Sequence, residues 1–270
     1  MRSWGLVAGV ALAVLAVAVD GGAYEVEAVT DGGTLRGTIT LAGSAPAPEA
    51  FAVTKDKAVC GEQKTRADLI VGPAGGIANV AVVVKATKGR ALEIPAQPVT
   101  FDQRGCEYAP RVLAFPAGST IAVLNPDGVL HNVHVMGKTN PEANRAMPKF
   151  QKKIDWIVEK PEWPIVVKCD AHPWMRAYWL AMDQPYYAVT GPDGAFTIAD
   201  LPPGEYDVEL WHETLGRRTE RVSIPAKAEA TVAWAFAAPT TTSTSPPAAV
   251  TTTTGPAAVT PTTPPVEALP

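Results

Sequence analysis

Short segments in which apolar and polar residues alternate recur along most of this chain, and each is bounded by Gly, Pro, Asn or Asp. They are rich in Val, Ile, Thr and aromatic residues and cover residues 34–41, 79–86, 119–124, 132–136, 165–169, 176–182, 195–198, 206–211 and 220–224. Such alternation is typical of β-strands with one buried face, whereas the helical period of about 3.6 residues is hard to find between residues 24 and 238. Residues 136–154 follow neither pattern and are interpreted as a loop with a short helix. The sequence therefore predicts an all-β fold of sandwiches or barrels.

The N-terminus has the pattern of an export signal. Arg2 supplies one positive charge, residues 5–19 form an uncharged apolar run, and small residues follow at 21–23. The run is shorter than the roughly 20 apolar residues of a membrane span. We therefore predict a Sec signal peptide over residues 1–23 and a periplasmic or secreted protein with no membrane span after cleavage. An uncleaved anchor is the alternative.

The C-terminal residues, 239–270, have a different composition. They are rich in Thr and Pro, carry one charge at Glu267 and have no hydrophobic period. Such a segment buries too little apolar surface to offset its ordering entropy, so we predict a disordered tail. A glycosylated stalk is the alternative.

Two turn signals indicate a β-sandwich near the C-terminal end of the exported chain. Asp193-Gly194 supplies one tight turn and Pro202-Pro203-Gly204 another. Apolar side chains that would face one core fall at alternate positions beside these turns: Phe196, Ile198, Tyr206 and Val208. This pattern resembles the carboxypeptidase regulatory-like, transthyretin-like sandwich.

The resemblance implies a domain arrangement. About 215 residues between the predicted signal and tail correspond to two domains of ordinary size. Residues 24–96 and 185–238 would form the first and second parts of the sandwich, with residues 97–184 inserted as another domain. A second domain that is simply followed by the sandwich is the other arrangement.

One loop combines a thiol, an imidazole and a thioether. In the run from Cys169 to Met175, Cys169, His172 and Met175 stand three residues apart, so a tight loop can turn all three side chains toward one point. With a second imidazole they make the trigonal His₂Cys set with a weak axial Met that binds copper in blue electron-transfer proteins. His131 and His134 both lie upstream, but three residues apart on a strand they point to opposite faces, so only one can join.

The two segments together resemble the copper signature of the cupredoxin family in its amicyanin-like form. The family's first ligand stands directly before an Asn, here Asn132, so the resemblance implies the ligand set His131, Cys169, His172 and Met175 for one type 1 copper ion. It also implies a Greek-key sandwich over residues 97–184. In the family, the equivalent of Asn132 ties the two ligand loops together and its backbone amide bonds the cysteine sulfur, while Trp174 would limit access of water. Residues 30–236 resemble bacterial proteins, some labelled methylamine-utilisation proteins, that join the two domain types.

Other interpretations of these residues remain. Cys169 could be an ordinary small buried side chain in a cupredoxin without metal. Zinc could be bound by His131, Cys169 and His172. Zinc leaves the position of Met175 unexplained, and a chain that had lost its metal is expected to have lost a ligand, so copper is the favoured ion.

The remaining two cysteines, Cys60 and Cys106, are predicted to pair. In an exported protein a disulfide is the expected state, and pairing of either one with Cys169 would destroy the copper site. A closed loop of about 45 residues would stabilise the fold by roughly 3–4 kcal/mol in the chain-entropy model. Two free buried thiols are the alternative.

Composition restricts the function. Four His exclude enzymes with several copper centres, the absence of a C-x-x-C pair excludes c-type haem attachment, and a net charge of -4 argues against nucleic acid as a partner. His212 ends a predicted strand and is interpreted as structural.

We predict an exported mononuclear copper protein that carries single electrons between redox partners, such as a dehydrogenase and a cytochrome. Four ligands leave no position for substrate, so it is not predicted to be an enzyme. The alternative is a binding module whose sandwich contacts a surface, glycan or protein, with the cupredoxin domain as a structural or copper-sequestering part.

Overall fold

The all-β prediction is confirmed by a computed structural model that describes residues 24–66 and 68–239. The predicted signal peptide and nearly all of the predicted tail lie outside these residues. The described part contains one short helix, α1 (Lys57–Cys60), and strands β1 (Glu25–Val26), β2 (Gly33–Ala42), β3 (Glu49–Ala52), β4 (Gln63–Arg66), β5 (Ala81–Val84), β6 (Lys88–Gly89), β7 (Val99–Asp102), β8 (Val112–Pro116), β9 (Thr120–Leu124), β10 (His131–Met136), β11 (Ala143–Met147), β12 (Lys153–Ile157), β13 (Glu162–Lys168), β14 (Arg176–Met182), β15 (Tyr187–Val189), β16 (Ala195–Leu201), β17 (Gly204–His212), β18 (Gly216–Ile224) and β19 (Glu229–Ala237).

Strands β7 to β14 form two facing sheets, which we call the central sandwich. One sheet has the order β11-β10-β13-β14-β8 and the other the order β12-β9-β7. Side chains from both sheets share one core, at whose centre Trp179 meets the edges of other aromatic rings, among them Phe101 and Trp156. This core lies directly behind the loop that follows β13.

Strands β2, β5 and β15 to β19 form a second pair of sheets, which we call the outer sandwich. Its sheets have the orders β15-β5-β17-β18 and β16-β2-β19. The apolar residues that alternate after the two predicted turns do enter one core: Phe196, Ile198 and Val208 are buried there, and Tyr206 packs against them.

Two strands are apolar on both faces because they lie between the two sandwiches. In β14, Trp179 faces the central core while Tyr178 and Leu180 face the outer sandwich. All four residues of β5 are buried in the same manner, with Val83 on the shared face. The fixed position of β14 matters for the site, because this strand receives the chain directly after Met175.

The order of the strands along the chain is discontinuous. Strands of the outer sandwich come both before β7 and after β14, so the central sandwich lies between them in the sequence. The predicted domain limits of 24–96, 97–184 and 185–238, and the transthyretin-like character of the outer sandwich, stay predictions.

The segment without a clear pattern contains strands and not a helix. Within residues 136–154 the chain forms β11 and begins β12, which corrects the expected loop with a short helix. Strand β11 lies at the edge of its sheet and buries only Met147, so its side chains show no alternation. A mostly exposed edge strand leaves little hydrophobic signal in a sequence.

Residues 49–66 form a small separate unit, which we call the cover segment. Strands β3 and β4 pair with each other, and α1 lies between them in the chain. The disulfide between Cys60 and Cys106 is present and joins this unit to the central sandwich.

His212 is enclosed at the end of β17, where it is 1% exposed. Its Nδ1 accepts a hydrogen bond from the backbone N–H of Thr214 at 3.2 Å, so the ring has a structural role. Burial, reinforced by the positive charge of Arg111, lowers the pKa of His212 from 6.5 to about 4. The folded protein therefore disfavours protonation of this ring.

Replacing His212 with Gln is expected to weaken the pH dependence of folding stability. In the unfolded chain the imidazole takes up a proton as the pH falls through about 6.5, whereas the folded protein resists protonation down to about 4. The wild type should lose on the order of 3 kcal/mol across this window that His212→Gln does not lose. Denaturant titrations of both metal-free proteins at a series of pH values measure the difference. Parallel pH profiles would contradict the assignment.

Candidate metal centre

The loop between β13 and β14 brings three of the predicted site residues together. The antiparallel pairing of the two strands ends at Lys168 and Arg176, so residues 169–175 must reverse the chain. Two backbone hydrogen bonds close the turn, from the Cys169 N–H to the Met175 carbonyl at 3.2 Å and from the Met175 N–H to the His172 carbonyl at 2.9 Å. Cys169, His172 and Met175 are each at most 1% exposed.

His131 joins this loop from the start of β10. Its Nδ1 lies 2.9 Å from the Nδ1 of His172, and the Cys169 Sγ lies 3.9 Å from the same atom. The donor atoms of these three residues all lie within 4.8 Å of one another. His131, Cys169 and His172 thus form one buried cluster on two neighbouring elements.

His134 lies outside the cluster. Its Nδ1 contacts the Asp170 carboxylate at 3.0 Å, and its Nε2 contacts Glu142 at 2.6 Å. Two residues of an alternating strand that stand three apart face opposite ways, and the structure brings His131 to the buried side.

Carboxylates determine which nitrogens of the two clustered imidazoles are free. The Nε2 of His131 lies 3.0 Å from Asp127 and the Nε2 of His172 lies 2.9 Å from Asp56. A carboxylate only accepts hydrogen bonds, so each Nε2 carries a proton, and in the neutral form of each ring Nδ1 is the atom with the free lone pair. The two lone pairs then face each other at close range, an arrangement that a cation between them stabilises.

The surroundings also favour uncharged imidazole at His131. Burial is the main cause that lowers the pKa of this ring; the hydrogen bond to Asp127 opposes it, and the nearby His172 lowers the pKa further. A metal ion competes with protons for the same lone pair, so a lowered pKa leaves Nδ1 available as a ligand.

Asn132 ties the two ligand-bearing segments together. Its Oδ1 accepts hydrogen bonds from the backbone N–H groups of Asp170 at 2.8 Å and Ala171 at 3.1 Å, and it lies 3.4 Å from the Cys169 Sγ. Its Nδ2 donates to Asn144 at 2.7 Å. The side chain therefore links the start of β10 to the loop after β13.

The Cys169 thiol is buried, and the disulfide leaves it the one free cysteine of residues 24–66 and 68–239. Burial raises its pKa, and hydrogen bonds from the backbone of Asn132, His172 and Ala171 partly oppose that increase. Such donors stabilise a sulfur that carries negative charge, so binding a cation would favour the thiolate here.

Trp174 packs beside the cluster. Its ring lies 5.0 Å from the ring of His172, and its Nε1 donates to the Cys106 carbonyl at 3.0 Å. The ring centroid of Phe51, a residue of the cover segment, lies 6.0 Å from that of Trp174. These aromatic groups keep water from one side of His172.

Sequence reasoning missed two residues of the site. Asp127 stands four positions before His131 in the turn that opens β10, and an acidic residue so close to a candidate ligand was a usable signal. Asp56 is 116 positions from His172, and nothing in the local sequence marks it.

These donors fit copper. Two imidazole Nδ1 atoms and a thiol converge in a buried site, and the thioether of Met175 belongs to the same closed loop. Soft sulfur together with imidazole is the donor set that copper prefers. Hydrogen-bonded carboxylates on the outer nitrogens are the usual support for metal-binding histidines.

Comparisons with known proteins reach only part of the chain. No protein-family model matches it, and no curated protein matches it. Several solved structures align with about a third of the chain, and three of them are described below. A purple cupredoxin from Nitrosopumilus maritimus is 18% identical with a TM-score of 0.27, covering 31% of this chain and 99% of its own. Amicyanin from Paracoccus versutus is 21% identical with a TM-score of 0.28, covering 33% of this chain and 86% of its own.

A copper-containing nitrite reductase from Thermus scotoductus SA-01 is 27% identical with a TM-score of 0.28, and the match covers 34% of this chain and 24% of that one. This chain thus spans about a quarter of the reductase. At such TM-scores the similarity supports no conclusion about function. In residues 24–66 and 68–239, no helix has the length and apolar character needed to cross a membrane.

Replacing Asn132 with Ala is expected to destabilise the metal-free protein. The change leaves the backbone N–H groups of Asp170 and Ala171 without their acceptor, which should lower the free energy of unfolding by about 1–3 kcal/mol. Denaturant unfolding measures this, with Asn144→Ala as the control, because the exposed Asn144 side chain bonds Asn132 and the exposed Asp170 carboxylate and its loss leaves the two backbone N–H groups with their acceptor. Equal stability of the two variants would contradict the role of Asn132 as the link.

Proposed function

We propose that the chain is an exported mononuclear type 1 copper protein that carries single electrons between redox partners. The observation that carries the proposal is the approach of two imidazole Nδ1 atoms to 2.9 Å beside a free buried thiol. Both imidazoles have their other nitrogen occupied by a carboxylate, so the free lone pairs converge. The export signal is part of the proposal, and a disulfide in the fold is in keeping with an oxidising compartment.

His131, Cys169, His172 and Met175 would hold the copper ion, with the Met175 thioether as the weakest of the four donors. When bound, copper would supply a one-electron couple between its cupric and cuprous states. The hydrogen bonds of Asn132 and the closed 169–175 turn keep the donors in place before any metal arrives. A site held in this way needs little rearrangement when its charge changes.

Four protein ligands leave no open position for a substrate, which supports an electron carrier over an enzyme. In each cycle one electron would come from a reduced donor protein and go to an oxidised acceptor protein. A dehydrogenase and a cytochrome are the classes of partner that we propose. Zinc would bind the same nitrogen and thiolate donors, but a thioether is not among its usual protein ligands.

Reconstitution of the purified protein with Cu(II) should give an intense blue band from thiolate-to-copper charge transfer. Cys169→Ala should abolish the band, because it removes the thiolate, and His131→Ala should abolish or strongly shift it. His134→Ala is the matched control: it removes a neighbouring histidine of the same strand that contacts Asp170 and Glu142, and should leave the band in place. Absorption spectroscopy with one equivalent of Cu(II) makes the measurement.

A colourless wild type would contradict the proposed copper site, and colour that survives His131→Ala would contradict the ligand assignment. Stopped-flow mixing of the reduced blue protein with an oxidised cytochrome tests the carrier role, with one electron expected per copper. A blue protein that exchanges electrons with no redox protein would be better explained by copper handling.

A further inference from the structure

The His172 imidazole is fully buried although it stands in a loop at the end of a sheet. Residues from outside the central sandwich contribute to this enclosure. The cover segment, residues 49–66, reaches the imidazole through Asp56 and packs Phe51 on Trp174 beside it. One side of the candidate copper centre is therefore formed by a part of the chain that precedes the central sandwich.

The cover segment is firmly attached at this place. The disulfide joins Cys60 to Cys106, and Lys64 donates to the Gly105 carbonyl at 2.6 Å and to Glu107 at 2.8 Å. The attachment points on the central sandwich, residues 105–107, are also bound to the Asp127 carboxylate through two backbone N–H groups at 2.7 Å. Both carboxylates that contact the clustered imidazoles are thus held by one connected set of bonds.

Asp56 has an unusual conformation for its position. It stands directly before α1 with a positive φ of 52°, and its carboxylate makes no hydrogen bond to the helix that follows. An Asp at this position ordinarily accepts from the first N–H groups of the helix. Here the carboxylate extends away from the helix to the Nε2 of His172 at 2.9 Å.

We propose that Asp56 is a positioning residue of the copper centre, which holds the His172 imidazole with its Nε2 protonated and its Nδ1 directed at the metal. This rests on the proposed copper function and goes beyond it, because Asp56 belongs to neither ligand segment. The contact also places a negative charge on the outer side of a ligand. Such a charge stabilises the more positive oxidation state and so lowers the reduction potential.

Two substitutions separate the effect of the hydrogen bond that Asp56 accepts from the effect of its negative charge. Asp56→Ala removes both the acceptor and the charge, and is expected to speed the transfer of copper to a chelator by roughly 10–100-fold, the usual effect of losing such a partner. Asp56→Asn removes the charge but keeps an oxygen that accepts from Nε2, so copper loss should rise less. Both variants should show a higher midpoint potential than the wild type.

The matched control is Glu62→Ala. Glu62 lies in the same cover segment, its side chain is 77% exposed, and its carboxylate pairs with Lys57 and not with the site. This variant changes the net charge by the same amount as the two Asp56 variants. It should leave both the rate of copper transfer and the midpoint potential at the wild-type values.

The two proposals fail in different ways. A wild type that forms no Cys169-dependent blue band overturns the copper function. If the wild type is blue, but Asp56→Ala, Asp56→Asn and Glu62→Ala all show the wild-type rate of copper transfer and the wild-type midpoint potential, only the role of Asp56 is overturned.

A measurement without copper keeps the inference testable if Asp56→Ala fails to fold. Long-range ¹H–¹⁵N NMR spectra of the metal-free wild type should show His172 with its proton on Nε2, and Asp56→Asn should populate the other tautomer more. A wild-type ring with the proton on Nδ1 would overturn the role of Asp56.

Discussion

The pairing of β13 with β14 determines where the functional side chains lie. β14 is buried on both faces, since one face enters the central core through Trp179 and the other packs on the outer sandwich through Leu180. A one-residue shift of register would move every side chain of β14 to the opposite face and disrupt the packing of Trp179 and Leu180 in their cores. The turn of residues 169–175 is therefore held at a fixed place at the end of the sheet, and Cys169, His172 and Met175 with it.

The positions of the protons and lone pairs in the cluster depend on the hydrogen bonds between the histidine Nε2 atoms and two carboxylates. Two buried imidazoles with their lone pairs directed at each other repel unless a cation lies between them, and each carboxylate opposite maintains that arrangement by holding a proton on Nε2. The Cys169 thiol adds a third donor, which binds a cation most strongly as the thiolate. The same hydrogen bonds thus select a tautomer and keep the donors in place.

The sequence predicted which of the clustered side chains lie together better than it predicted their surroundings. Spacing alone brought Cys169, His172 and Met175 together, and alternation along β10 separated His131 from His134 without deciding between them. Strand β11 was missed because it is an exposed edge strand with little hydrophobic pattern. Asp56 could not be found, because its contact with His172 depends on a disulfide and on packing between segments far apart in the chain. Sequence pattern reports local periodicity and ligand spacing, whereas contacts of this kind exist only in the folded chain.

The cover segment gives a physical reason for the discontinuous arrangement of the strands. It lies in the chain between β2 and β5, both of which belong to the outer sandwich, yet it packs on the central one. The strands β2 and β5 on either side of the cover segment belong to the outer sandwich, and the disulfide fixes its middle. Ordering Asp56 at His172 therefore costs little additional conformational entropy. A central sandwich alone would have to leave this imidazole edge to solvent. The outer sandwich is therefore connected to the candidate centre through the cover segment, whose Asp56 contacts His172.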